Sequence, residues 1–271
     1  MADRVAPHQS SGAGHDHMRG ALARHWPEYL MEAGGLAYFV ISASLLTTLL
    51  EYPGSPLHRA LGGKHLRLGL LGIAMGAVIA SVVYSPWGKR SGAHINPSVT
   101  WAFFRLGKIG GWDAVFYTAA QFGGALAAVQ LMRLVLGAPY RHPAVDYVMT
   151  KPGPGGALVA FAAEFGISFV LMLVVLIAVN SKRLERLTGL FAGVLVALYL
   201  AIETPLSGMS LNPARTFGSA VAARHWAGLW LYFAAPVAAT LLAAELYVRL
   251  GGRARVRAGP SYPADAPNGR G

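Results

Sequence analysis

Seven residues occur twice in this chain in one pattern, Ser-Gly-x-x-x-Asn-Pro. The first copy is Ser91-Gly92-Ala93-His94-Ile95-Asn96-Pro97 and the second is Ser207-Gly208-Met209-Ser210-Leu211-Asn212-Pro213. The offset is constant, since 207 − 91 and 212 − 96 both give 116. Long apolar segments flank each copy. A polar, non-helical stretch at membrane depth survives only where it is buried in protein or lines a wet cavity. Two halves that carry the same unusual loop point to an internally duplicated channel or transporter.

Composition supports a membrane setting. The chain has 271 residues, of which 54% are hydrophobic and 13% charged, against about 25% charged in soluble domains. There is no cysteine, which excludes disulfides, thiol catalysis and thiolate metal sites. The net charge of +11 is spread over segment ends and tails, as in a protein that orients itself in a bilayer. That distribution argues against a nucleic-acid partner. Residues 1–26 read as a disordered polar N-terminal tail and 251–271 as a disordered basic C-terminal tail.

Six segments are long enough to cross a hydrocarbon core, which takes about 20 helical residues. They lie near 28–50, 67–87, 112–137, 157–180, 184–204 and 227–250. Two further apolar segments, Asn96–Leu106 and Asn212–Ala222, are too short to cross. Each opens on Asn-Pro, a helix start: Asn caps well and Pro suits the first helical position. They read as re-entrant half-helices preceded by extended loops. Three full spans separate the two loops, an odd number, so the loops enter from opposite faces and the repeat is inverted. The channel domain is expected over 27–250, with repeats at about 28–137 and 157–250 and a Pro- and Gly-rich linker at about 138–156. Of the 23 Lys and Arg residues, more fall on the side of both termini than on the other, which predicts cytoplasmic termini.

These residues resemble the aquaporin, or major intrinsic protein, family over about 28–250. Ser91–Thr100 is similar to the family's first signature, and Asn212-Pro213-Ala214-Arg215-Thr216-Phe217-Gly218 to its second. Glu32 and Glu164 sit in the first helix of each half, as family carboxylates do. Tyr117–Gly124 and Tyr232–Pro236 resemble the third- and sixth-helix patterns. The resemblance implies an all-α membrane protein of six transmembrane helices and two re-entrant half-helices. It also implies a homotetramer, one pore per subunit, and passive passage of water or small neutral solutes without ions or protons. No cofactor, metal or enzymatic activity is expected. A bacterial inner membrane fits the short loops.

Under that resemblance Asn96 and Asn212 are the pore donors, two amide groups that hold a passing oxygen while both half-helix N-termini repel cations. Arg215 matches the family's constriction arginine. Glu32 and Glu164 are expected to brace the loops by accepting from backbone N–H groups that would otherwise go unsatisfied. His94 braces the first loop or lines the inner vestibule. Gly123, Gly124, Gly193 and Gly218 read as packing contacts. Alignment of Tyr84-Ser85 with one inserted residue before Ser91 puts Met75 in the selectivity filter. Counting back from Asn212 adds Leu200, with Tyr199 one step away, and the loop adds Met209. The chain departs from the family pattern in this apolar ring, in Ser98 after the first Asn-Pro, and in Thr216 where glycerol facilitators carry Asp. The alternatives are a secondary transporter, or a channel for less polar solutes (glycerol, ammonia, peroxide, metalloid acids) with poor water permeability.

Overall fold

The computed structural model describes residues 10–251, with side chains from His17 onward. Every regular element among them is helical. The spans are α1 (Ser10–Glu51), α2 (Lys64–Tyr84), α4 (Gly111–Leu136), α5 (Gly156–Val179), α6 (Thr188–Ile202) and α8 (Leu229–Arg249). Between them lie two short helices, α3 (Pro97–Arg105) and α7 (Pro213–Ala223). Among the described residues, six helices are long and apolar enough to cross a membrane; for the fifth, that stretch extends α6 back to Glu185.

Two boundaries differ from the sequence reading. Helix α1 begins at Ser10, inside the tail expected over 1–26. Its early turns are held in place: Tyr29 Oη donates to Asp113 at 2.6 Å and lies 3.1 Å from the Ala21 carbonyl, and His25 Nδ1 is 2.8 Å from the same Asp113 carboxylate. Helix α2 stops at Tyr84 because Pro86 forces Ser85 into an extended conformation. A separate short helix, Pro86–Ser91, then carries the chain to the first loop, capped by Ser85 Oγ accepting from Gly88 N at 2.9 Å. Residues 1–9 and the tail expected beyond Gly251 lie outside the described residues.

The packing has a two-fold logic. Helix α1 lies along α4, and α5 along α8, so the first and third spans pair in each half; α2 lies along α6. Each half-helix leans on the third span of the opposite half, α3 on α8 and α7 on α4. Small residues set the separations. A Cβ at Gly76 would sit 2.4 Å from the Gly193 carbonyl oxygen, and one at Gly193 would sit 2.5 Å from that of Gly76. Gly124 is equally close to Ala33, and Gly218 packs on Ala125. Gly123 is not a packing contact, because a Cβ there would meet nothing within 4 Å.

Large apolar side chains lie exposed while some carboxylates and amides are buried. Leu134 and Leu158 are more than four-fifths exposed, whereas Glu32, Gln121 and Glu164 are fully buried. The exposed apolar side chains face what lipid would cover, and these buried polar groups find their partners inside. The segment between the repeats, 138–156, folds into a short helix, Ala138–Arg141, and a tight turn at Asp146–Val148. Tyr140 of that segment is fully buried, so it reaches into the protein rather than merely joining its halves.

Candidate functional site

Asn96 and Asn212 stand at the N-termini of α3 and α7, each followed by Pro. Asn96 Oδ1 accepts from Ser98 N at 2.9 Å. Asn212 Oδ1 accepts from Ala214 N at 3.1 Å and Arg215 N at 3.3 Å. The amide nitrogens reach across the repeat. Asn96 Nδ2 donates to the Leu211 carbonyl at 2.8 Å, and Asn212 Nδ2 donates to the Ile95 carbonyl at 2.7 Å. The two half-helix tips therefore meet. Each amide spends one N–H on the opposite loop and has a second N–H.

The loops that deliver these tips are strained in matching places. Ala93 and Ile95 have φ of 49° and 39°, and Met209 and Leu211 have φ of 53° and 61°. Such left-handed conformations are costly for residues with a Cβ and persist because carboxylates hold the backbone. Glu32 Oε1 accepts from Ser91 Oγ at 2.8 Å and His94 N at 3.0 Å; its Oε2 accepts from Ile95 N at 2.5 Å and Gln121 Nε2 at 2.8 Å. Glu164 Oε1 accepts from Ser207 Oγ at 2.6 Å and Ser210 N at 2.7 Å, and its Oε2 from Leu211 N at 2.8 Å. Each unpaired buried N–H would cost about 1–3 kcal/mol. The His94 ring stacks on Phe103 of α3, with centroids 4.7 Å apart, and its Nδ1 lies 3.2 Å from Thr100 Oγ1 of the same helix. Ser210 occupies the matching place in the second loop and pairs with Thr216.

Met75 and Met209 are buried at 2% and 4% exposure in one apolar cluster with Val196 and Leu211. Both Leu200 and Tyr199 pack against it. Three of the four expected filter residues thus come together, and Tyr199, one step from the expected position, joins them. Arg215 lies beside that cluster, lining a cavity with Ala43, which belongs to it, and Val148, which packs on it. It is 7% exposed, and its Nη1 is buried without a protein hydrogen-bond partner. Arg215 lines a small cavity with Ser44 and Tyr140, which sequence reasoning did not single out. Glu203 was also missed. It closes α6 at 4% exposure with neither carboxyl oxygen hydrogen-bonded, and burial pushes its pKa up to about 8.

Six spans, two half-helices with crossed asparagine tips, and buried span carboxylates that hold the loops define a multi-pass membrane channel. A family profile described as Major intrinsic protein matches residues 23–247. Aquaporin NIP2-2 of Zea mays is 36% identical over 213 residues, which span 77% of this chain and 69% of the relative. Aquaporin NIP2-1 of Oryza sativa subsp. japonica is 34% identical over 230 residues, 84% of this chain and 73% of the relative. The aquaglyceroporin of Plasmodium falciparum has the same fold, with a TM-score of 0.65 at 20% identity over 82% of this chain and 95% of that one. The chain belongs to the major intrinsic protein family, and is a channel of the kind that passes water or small neutral solutes. These plant relatives lend no support to the bacterial membrane expected from the short loops.

Proposed function

We propose that the chain conducts water or small neutral solutes passively through one lumen per subunit, and excludes ions and protons. The observation that carries this reading is the reciprocal pair Asn96–Leu211 and Asn212–Ile95, which fixes both amide groups at one depth. The second N–H of each amide donates to the oxygen of a passing molecule. A molecule held by two donors cannot donate back along the file, so the proton wire is broken there. The N-termini of α3 and α7 point at the same place, each worth about half a positive charge, and they oppose cations. Arg215 adds a second cation barrier.

The ring of Met75, Leu200 and Met209 favours solutes less polar than water. These side chains offer no strong hydrogen bond, and methionine shifts its conformation readily. The expected selectivity is therefore tilted toward molecules such as glycerol, ammonia or peroxide. The subunits assemble as a homotetramer, with both termini in the cytoplasm, an orientation that the Lys and Arg distribution supports.

The test is flux into liposomes carrying the purified chain. Accelerated volume change with at least one of water, glycerol, urea, ammonia or peroxide, independent of any ion gradient, is the expected result. Vesicles no faster than empty ones across that panel would sink the channel reading. Strict dependence on a sodium or proton gradient would replace it with a secondary transporter. Met209→Ala opens the ring and should raise glycerol flux more than water flux.

A further inference from the structure

The cavity beside Arg215 is small, about 10 Å³, which is room for one water molecule. It lies among Val40, Ala43 and Ser44 of α1, Tyr140 and Val148 of the linker, and Arg215 and Ser219 of α7. Met75, Leu200 and Met209 do not line it, so it is a recess to one side of the apolar ring. Its polar wall is organised. Ser44 Oγ lies 2.8 Å from the Val40 carbonyl and 2.7 Å from Tyr140 Oη, and Tyr140 Oη lies 3.3 Å from the Tyr147 carbonyl. Tyr140 is fully buried and Ser44 is 1% exposed. Against this wall stands a guanidinium with Nη1 buried and unpartnered.

A buried cationic N–H left without an acceptor is expensive, and the three hydroxyls of Ser44, Tyr140 and Ser219 retain lone pairs. We infer that the recess is a site for one ordered water, which accepts from Arg215 Nη1 and donates to the Tyr140–Ser44 hydroxyl pair. Tyr140 is then a positioning residue for the filter arginine. The inter-repeat linker, through Tyr140, sets where the guanidinium stands in the lumen. Val148 and its neighbours support that placement: Asp146, Tyr147 and Val148 all have positive φ, a tight turn that brings Val148 to the recess. The site does not depend on which solute the channel carries, because it can be seen whether or not vesicles conduct.

The experiment is a structure of the full chain in lipid nanodiscs, at a resolution that shows water, paired with flux of the Tyr140→Phe variant. Density within about 3 Å of both Arg215 Nη1 and a hydroxyl of Tyr140 or Ser44 is the expected result. Tyr140→Phe keeps the ring and removes the hydroxyl. It should shift the glycerol-to-water permeability ratio by about threefold, the equivalent of one hydrogen bond, a change in selectivity that the accompanying fall in melting temperature from the unpaired Tyr147 carbonyl does not by itself produce. Ser219→Val fills the recess and should shift the ratio in the same direction. The inference is overturned by a dry recess, by Arg215 Nη1 donating directly to a backbone carbonyl, or by an unchanged ratio in both variants.

Discussion

Tyr232 Oη donates to the Ser207 carbonyl at 2.5 Å, and Tyr117 Oη donates to the Ser91 carbonyl at 2.8 Å. Each tyrosine comes from the third span of its own half and holds the first residue of its own re-entrant loop. Both are fully buried. Tyr232→Phe leaves the Ser207 carbonyl unpaired in the interior and should lower stability by about 1–3 kcal/mol, measured as a drop in the unfolding midpoint in detergent. Flux should fall along with it, because Ser207 also donates to Glu164, which holds the second loop.

Asn212→Asp should be worse for selectivity than for folding. A carboxylate keeps the capping bonds to Ala214 N and Arg215 N and loses the donation to the Ile95 carbonyl. It also places a negative charge where two helix N-termini converge. Cation or proton leak into vesicles loaded with a pH-sensitive dye is the expected outcome, with solute flux reduced. Leak no greater than in the unsubstituted protein would remove Asn212 from the exclusion mechanism.

Gly76→Ala tests the close seam between α2 and α6. The new methyl would stand 2.4 Å from the Gly193 carbonyl oxygen, which is backbone and has little room to yield. The two spans must separate, at a cost of about 2 kcal/mol. Gly123→Ala is the control, since a methyl there meets nothing; its unfolding midpoint should match that of the parent protein.

Glu203 gives a pH dependence with a definite sign. Burial raises its pKa from 4.5 to about 8 in the folded state, so the fold disfavours the ionised form. The stability it contributes is fully present below pH 4.5 and is lost as pH rises toward about 8. Glu203→Gln should therefore flatten the decline in unfolding midpoint across that window, and should be the more stable protein at pH 8. An identical decline in both proteins would remove Glu203 as its source.

The sequence carried the duplicated loops plainly, because Asn-Pro after a polar run inside apolar surroundings has few other uses. Counting spans between the two copies was enough to invert one half against the other. The buried carboxylates were readable for the same reason: a charge in the first span of each half needs partners, and an irregular backbone supplies them. What stayed hidden depends on distance in sequence. Ser44 and Tyr140 are 96 residues apart, and nothing local marks a linker tyrosine as sharing a cavity with Arg215. Gly123 and Gly124 look alike in the chain, yet only helix rotation decides which one meets Ala33. The contact of Asp113 with His25 and Tyr29 of α1 likewise joins segments far apart in the chain.

The crossed amide bonds have a consequence for ancestry. Each asparagine donates one amide N–H to a carbonyl from the other half, so one repeat alone makes no finished passage. A single-repeat forerunner works only as two copies threaded through the bilayer in opposite senses. Fusing them into one polypeptide guarantees that every tip is born with its counterpart.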